Sequence, residues 1–322
     1  MRRGRLLVAA SAAVAVIAGG VTPATGAESS AGSGLWEANY TPEQTETDCG
    51  TFESDGNGFC VADDGVGVEL GVRFQVTEPV LITGVRMYRA DAGELRASLW
   101  STDGEPLAQT TIAAVNPEDF KNGWQDVPFT EPVPAPTEQT FIASYYSPSA
   151  TYGFEYDYFA GSAHESGPLL ALQSVQGSGN GVFCYAEDCY PDETFRDSNY
   201  WVSPLWQYPF EGFSALAEAD MVEAKAGRAI PVQFSLGGDY GLDILADGYP
   251  KATPTSCDRS AETMTLDDSS TSTAGDSGLR YDAETGEYMY VWKTPRAAAG
   301  CYEFQLGLVD GSENSLTVKF VK

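Results

Sequence analysis

The chain has 322 residues with 18 basic and 46 acidic side chains, a formal charge of −28. Without its first 27 residues, which carry three arginines and no acid, the charge becomes −31. So acidic a chain is expected to bind neither nucleic acid nor an anionic membrane surface, because both are polyanions. Its length suffices for two compact domains. With 34 Gly, 18 Pro and 12% aromatic residues, an all-β architecture is expected rather than a helical bundle. The single histidine, His164, excludes multi-histidine metal sites, and any Ser-His-Asp triad would have to use it.

Residues 1–27 read as a secretory signal peptide. Arg2, Arg3 and Arg5 form its positive start, residues 6–18 an apolar run too short and Ala-rich for a membrane span, and Thr25-Gly26-Ala27 an acceptable cleavage site. The mature protein is expected to be secreted, extracellular and without a membrane span. Six cysteines fit an oxidising exterior. Their spacing suggests Cys49–Cys60, Cys184–Cys189 and Cys257–Cys301 disulfides. The first two close short loops, and the third closes a long one with a nominal stabilisation of about 4 kcal/mol. No C-x-x-C knuckle supports zinc instead.

Residues 28–34 are a Gly/Ser-rich tail expected to be mobile. Residues 41–65 are polar and read as a loop stapled by Cys49–Cys60. Short alternating runs then recur: 68–76, 80–88, 94–101, 107–115, 123–129, 140–147, 152–159, 169–173, 181–185 and 200–206. In 95–100, Leu95, Ala97 and Leu99 take one side and Arg96, Ser98 and Trp100 the other. Turn signals such as Thr102-Asp103-Gly104 separate the runs. The pattern predicts a jelly-roll-like β-sandwich over 35–206. Residues 207–222 are a linker or lead-in strand. A second series at 229–236, 242–246, 262–266, 278–281, 287–293, 302–309 and 315–321 predicts a smaller immunoglobulin-like sandwich over 223–322. The Ser/Thr/Asp-rich stretch 260–276 is expected to be a mobile loop.

Seven motifs recur in order along the first series. They are Glu69-Leu70-Gly71-Val72-Arg73-Phe74, Ile82-Thr83-Gly84-Val85-Arg86-Met87-Tyr88, Ala97-Ser98-Leu99-Trp100, Gly123-Trp124-Gln125, Ile142-Ala143-Ser144-Tyr145, Tyr158-Phe159-Ala160-Gly161 and Ser198-Asn199-Tyr200-Trp201-Val202. On these the first domain resembles a secreted actinobacterial family, domain of unknown function 4082. The second series carries Lys225-Ala226-Gly227, Ile230-Pro231-Val232-Gln233-Phe234-Ser235-Leu236-Gly237-Gly238, Gly248-Tyr249-Pro250-Lys251 and Tyr290-Val291-Trp292-Lys293-Thr294, with Cys257 and Cys301. It resembles the PxKF domain, although Gln233 stands where that motif has its lysine. This resemblance also implies the Cys257–Cys301 pairing. Neither family implies a catalytic activity.

Glu69 and Arg73 stand four apart on one strand face, as a ligand-orienting ion pair or, more simply, a structural pair. Tyr152, Phe154, Tyr156 and Tyr158 alternate, which would place all four on one face of a strand, with Glu155 and Asp157 on the other. Such a row beside carboxylates suits sugar rings. The same row could equally be sandwich core. In Tyr145-Tyr146 and Tyr200-Trp201, one ring should face in and its neighbour out. His164 lies in a polar run without a G-x-S-x-G elbow and reads as a surface histidine. Asp55-Gly56-Asn57-Gly58, Asp63-Asp64-Gly65 and the trio Asp239, Asp243 and Asp247 are weak calcium candidates. No cofactor is expected, structural calcium being the one candidate these clusters leave open.

The sequence therefore predicts a secreted, non-catalytic protein recognising extracellular or cell-wall carbohydrate through Trp100, Tyr146, Tyr152, Phe154, Tyr156 and Trp201. Two other classes stay open: an adhesion or matrix protein that binds a surface protein, and a glycoside hydrolase using a carboxylate pair. Composition does not define the oligomeric state. Acid is spread over the whole chain, so self-repulsion should be relieved by salt. Thermal stability is expected to rise with ionic strength, and equal melting temperatures in dilute and molar NaCl would contradict it.

Overall fold

Alternating apolar side chains decide where the first sandwich forms. In the strand Val68–Val76, Val68, Leu70, Val72, Phe74 and Val76 are all buried. Side chains of even parity share one face, so this strand offers the core a continuous apolar row. The computed structural model describes residues 33–42, 44, 48–214, 221–257, 278–296 and 298–321. The signal peptide, the 262–266 strand and the whole 260–276 loop expected from sequence lie outside these residues.

Val68–Val76 belongs to an antiparallel sheet ordered His164–Ser166, Leu169–Ala171, Val68–Val76, Phe141–Ser147, Leu95–Ser101 and Pro106–Ile112. Leu169–Ala171 and Val182–Cys184 share one edge of Val68–Val76, pairing with residues 74–76 and 69–71. The side chain of Asn180 fills the gap between them. Its Oδ1 accepts the Arg73 N–H at 2.8 Å and its Nδ2 donates to the Arg73 carbonyl at 2.9 Å, reproducing a strand's two bonds. The facing sheet runs Ser33–Gly34, Val202–Gln207, Val80–Arg89 and Gly123–Ala135. It contributes Ile82, Val85, Met87 and Val127 to the core. A small third sheet joins Thr151–Phe154, Cys60–Asp63 and Glu53–Ser54 and is tied down by Cys49–Cys60.

The second sandwich packs Gly212–Phe213, Ala229–Ser235, Glu287–Lys293 and Arg280–Asp282 against Val222–Lys225, Glu313–Val321, Gly300–Gly307 and Lys251–Thr255. Among its described strands, only Val222–Lys225 and Glu313–Val321 pair in parallel. Phe234, Tyr288, Trp292, Phe304 and Val318 are fully buried between the sheets. The chain passes between sandwiches at Tyr208, whose N–H donates to Oδ2 of the buried Asp310 at 2.6 Å. The architecture is all-β, and the Cys184–Cys189 and Cys257–Cys301 disulfides also form. Among the described residues, no helix is long and apolar enough to cross a membrane.

Several expectations change. Ser33–Gly34 are not a free tail, because they pair with Trp206 and Leu205. The 41–65 segment is partly strand, since Thr151–Phe154 supplies a partner. The 152–159 strand stops at Phe154, and Asp157 turns the chain with φ 59°. Residues 242–246 make only a bridge from Leu245 to Leu308. Lys251–Thr255 forms a strand that accommodates Pro254 and pairs with Gly300–Gly307.

Gly181 links the Asn180 bracket to the next strand. It has φ +71°, and a Cβ there would lie 1.6 Å from the Ser198 carbonyl oxygen. Gly181→Ala is therefore expected to destabilise by at least about 2 kcal/mol in urea unfolding, from left-handed strain and backbone displacement. Gly161→Ala, where nothing lies within 4 Å, should be near neutral. Equal unfolding midpoints for the two variants would refute this account.

Candidate functional site

The third sheet stands against one end of the large sheet that contains Val68–Val76 and leaves a pocket of about 310 Å³ between them. Tyr152 and Phe154 share one face of Thr151–Phe154 and point into it. Opposite Tyr152 in the register is Ala62, whose small side chain leaves room for the rings. Val68 and Leu70 form the floor, and Phe183, paired with Leu70, adds a wall. Phe52, Tyr156, Tyr185, Phe195 and Tyr200 complete the aromatic lining.

The rings meet edge to face. Tyr152 and Tyr200 are 5.8 Å apart at 80°, Phe183 and Tyr185 5.4 Å at 70°, and Tyr156 and Phe195 6.0 Å at 72°. This arrangement places electropositive edges on electronegative faces. Asp64 and Ser198 are the polar lining residues. Asp64 Oδ2 accepts from the hydroxyls of Tyr152 and Tyr185, each at 2.8 Å. Burial, and then the bond to Asp64, push the Tyr152 hydroxyl well above its usual value and that of Tyr185 up to about 12. Both tyrosines thus keep their protons near neutral pH and remain donors that fix the carboxylate.

The other residues named from sequence are distributed elsewhere. Tyr152, Phe154 and Tyr156 come together in the pocket, but Tyr158 does not. After the Asp157 turn, its hydroxyl bonds to Trp36 Nε1 and His164 Nδ1 on the far side. Tyr200 and Trp201 are both buried, so neither faces out; Tyr200 lines the pocket and Trp201 lies in a separate aromatic cluster. Trp100 is buried against Ile142 and Val182 on the outer face of the large sheet. Tyr146 is half-buried beneath the Arg96 guanidinium, 5.4 Å from its ring centre, while Tyr145 is core. His164 is half-buried and tied into the aromatic cluster. It stacks on Trp36 at 5.2 Å, and its Nε2 lies 2.9 Å from the Leu35 carbonyl.

Phe52, Phe183, Tyr185 and Phe195 carry no sequence signal that marks them as ligand residues, and Asp64 stands out in the sequence only as a calcium candidate. Asp55 is fully engaged by protein donors instead: Asn57 N–H at 2.8 Å, Phe59 N–H at 3.2 Å, Asn122 at 3.2 Å and the Tyr88 hydroxyl. Burial raises its carboxyl, but these bonds outweigh that and hold it below the usual value. Among the described residues, no group of three His, Cys, Asp or Glu is placed to hold a metal.

Glu69 and Arg73 do not pair. Arg73 donates to the Gly179 carbonyl at 2.6 Å. Glu69 is fully buried, accepts from Ser144 Oγ at 2.5 Å and faces Arg96 at 3.6 Å, an ion-pair rather than hydrogen-bond distance. Arg96 reaches on to Asp188 at 2.7 Å in the Cys184–Cys189 loop. Burial pushes the Glu69 carboxyl from 4.5 up to about 7, although Ser144 and Arg96 pull it down. The folded state then holds this proton more tightly than the unfolded chain, so its contribution to stability is lost as pH rises from about 4.5 to 7. The loss is on the order of 3 kcal/mol. Glu69→Gln is expected to remove this component, giving a smaller fall in urea midpoint than the parent between about pH 5 and pH 8. Parallel pH profiles for the two proteins would contradict the assignment.

No curated protein matches the chain. Residues 56–202 match the family model described as Domain of unknown function (DUF4082). The match takes in every pocket-lining residue except Phe52, and the first sandwich resembles that family.

Proposed function

We propose that the chain is a secreted, non-catalytic binding protein whose first sandwich recognises an extracellular carbohydrate in the aromatic pocket. The observation that carries this reading is the pocket itself: eight aromatic side chains around about 310 Å³, with a fixed carboxylate among them. Aromatic faces accept the CH groups of a sugar ring, and Asp64 and the tyrosine hydroxyls can bond its hydroxyls. Mostly apolar pockets with a few convergent polar groups are the usual form of a small-ligand site. Two of the exposed large apolar residues, Tyr185 and Phe195, stand together at this pocket, where a ligand would cover them. The signal-like start and the three disulfides support action outside the cell.

The non-catalytic reading rests on the carboxylates. Asp64 alone among the lining residues is acidic, whereas glycoside hydrolysis ordinarily uses two acids across the substrate. Glu69 has a raised carboxyl pKa but is sealed beneath Arg96 and the 184–189 loop. Binding to a glycan array or to insoluble polysaccharide is expected at roughly millimolar ligand or below. Phe195→Ala, at a half-exposed ring, should weaken it by about threefold to tenfold without altering the fold. Absence of binding across the panel would sink the proposal.

A further inference from the structure

We infer that the group received by the aromatic pocket is a cationic nitrogen, an ammonium carried on the ligand. The inference rests on reading this pocket as the ligand site and goes on to name the chemistry it selects. A flat platform would suit the broad face of a sugar. Here the walls stand at right angles, with Tyr200 at 80° to Tyr152 and 79° to Phe183. Rings crossed in this way form no shared platform, and a compact group in the pocket meets aromatic surface on several sides. Ring faces are electronegative, and a desolvated cation gains most from them.

The charges agree with the rings. No Lys, Arg or His lines the pocket among the described residues, and Asp64 is its one ionisable acid. The Tyr152 and Tyr185 hydroxyls bond only its Oδ2; Oδ1 takes no hydrogen bond among the described residues. Two hydroxyl dipoles orient that carboxylate without neutralising it. The nearby Arg196 lies 4.1 Å from the Tyr156 ring centre, but it is paired with Asp157 at 2.7 Å. A neutral ligand would cover the Asp64 charge and leave it without a counter-ion, which is unfavourable in a half-buried site. An ammonium would supply the counter-ion and sit against the rings. The chain's −28 charge favours the approach of such a ligand.

Calorimetric titration with glucosamine, N-acetylglucosamine, glucose and tetramethylammonium, at a pH that keeps the amine protonated, tests this. Glucosamine is expected to bind at least about tenfold more tightly than the two neutral sugars, more weakly in salt, and with its advantage lost in Asp64→Asn. Should Asp64→Asn fail to fold, Tyr185→Phe is the second variant. It removes one donor from Asp64 at an exposed position and should widen the preference. An unchanged or narrowed preference would overturn the inference. Neutral sugars binding as well as glucosamine would also overturn it while leaving the carbohydrate reading standing. Tetramethylammonium binding alone would uphold the ammonium and overturn the carbohydrate. No binding by any probe at roughly millimolar concentration would overturn the inference, and the glycan panel would then decide the carbohydrate reading by itself.

Discussion

Trp201 is fully buried with φ 52°, a left-handed conformation that a bulky residue rarely adopts. Such backbone costs about 1–3 kcal/mol, and its indole N–H, buried without a partner, costs about 1–3 kcal/mol more. Burying a whole indole contributes roughly 4–6 kcal/mol at 25 cal/mol per Å². The balance is therefore thin on area alone. Edge-to-face contacts with Trp36, Phe59, Trp124 and Tyr158, at centroid distances of 5.4, 5.4, 6.3 and 5.6 Å, tip it, each adding about 0.5–1.5 kcal/mol. The backbone is clamped as well. The Trp201 N–H donates to Asn199 Oδ1 at 2.9 Å, and its carbonyl accepts from the Tyr88 N–H at 2.9 Å.

The pocket depends on that clamp. Trp201 lies in the aromatic cluster while its neighbour Tyr200 lines the pocket, so one residue step separates core from site. The Thr151–Phe154 strand makes the same division. Tyr152 and Phe154 line the pocket, and Gly153 lies against the cluster, where a Cβ would come 3.1 Å from the Tyr88 ring and 3.3 Å from the Trp201 ring. The cluster must press closely on this strand for the rings beyond it to keep their angles. His164 closes the cluster from below, stacked on Trp36 and bonded to Tyr158. Its part is to hold the scaffold, and it stands apart from the pocket lining.

How far the sequence could be read follows from the range of each interaction. Alternation is a local property, so Val68–Val76, Leu95–Ser101 and Phe141–Ser147 agree with their expected bounds to within a residue. The rule lasts only while the chain stays extended. Asp157 ends it, which is why Tyr158 leaves the row that Tyr152, Phe154 and Tyr156 keep. Alternation also tells which side a residue takes but not what covers that side. Trp100 points away from the core as expected, yet it is buried because Val182 and Tyr190 lie over it. That cover is positioned by Asn180 and Arg73, 107 residues apart. Phe183 reaches the pocket beside the same non-local bracket and Tyr200 through the Trp201 clamp, and no periodicity joins either to Tyr152.

The scarce bases explain why so much acid remains on the outside. Arg86, 1% exposed, bonds Asp126 at 2.6 and 2.8 Å and the Trp36 carbonyl at 2.9 Å. Arg89 is buried and donates to the carbonyls of Asp91, Ala92 and Gly93. Arg73 and Arg96 brace the 179–189 segment from within. These guanidiniums act as planar brackets for loops, a use that suits arginine's fixed fork better than a lysine. Their charges lie beneath the surface, while many carboxylates face water and shape the field a ligand meets first. In such a field a pocket with ring faces and one half-bonded carboxylate, lined by no base, attracts positive charge twice over. The long-range field attracts it on approach, and the ring quadrupoles and Asp64 hold it at contact.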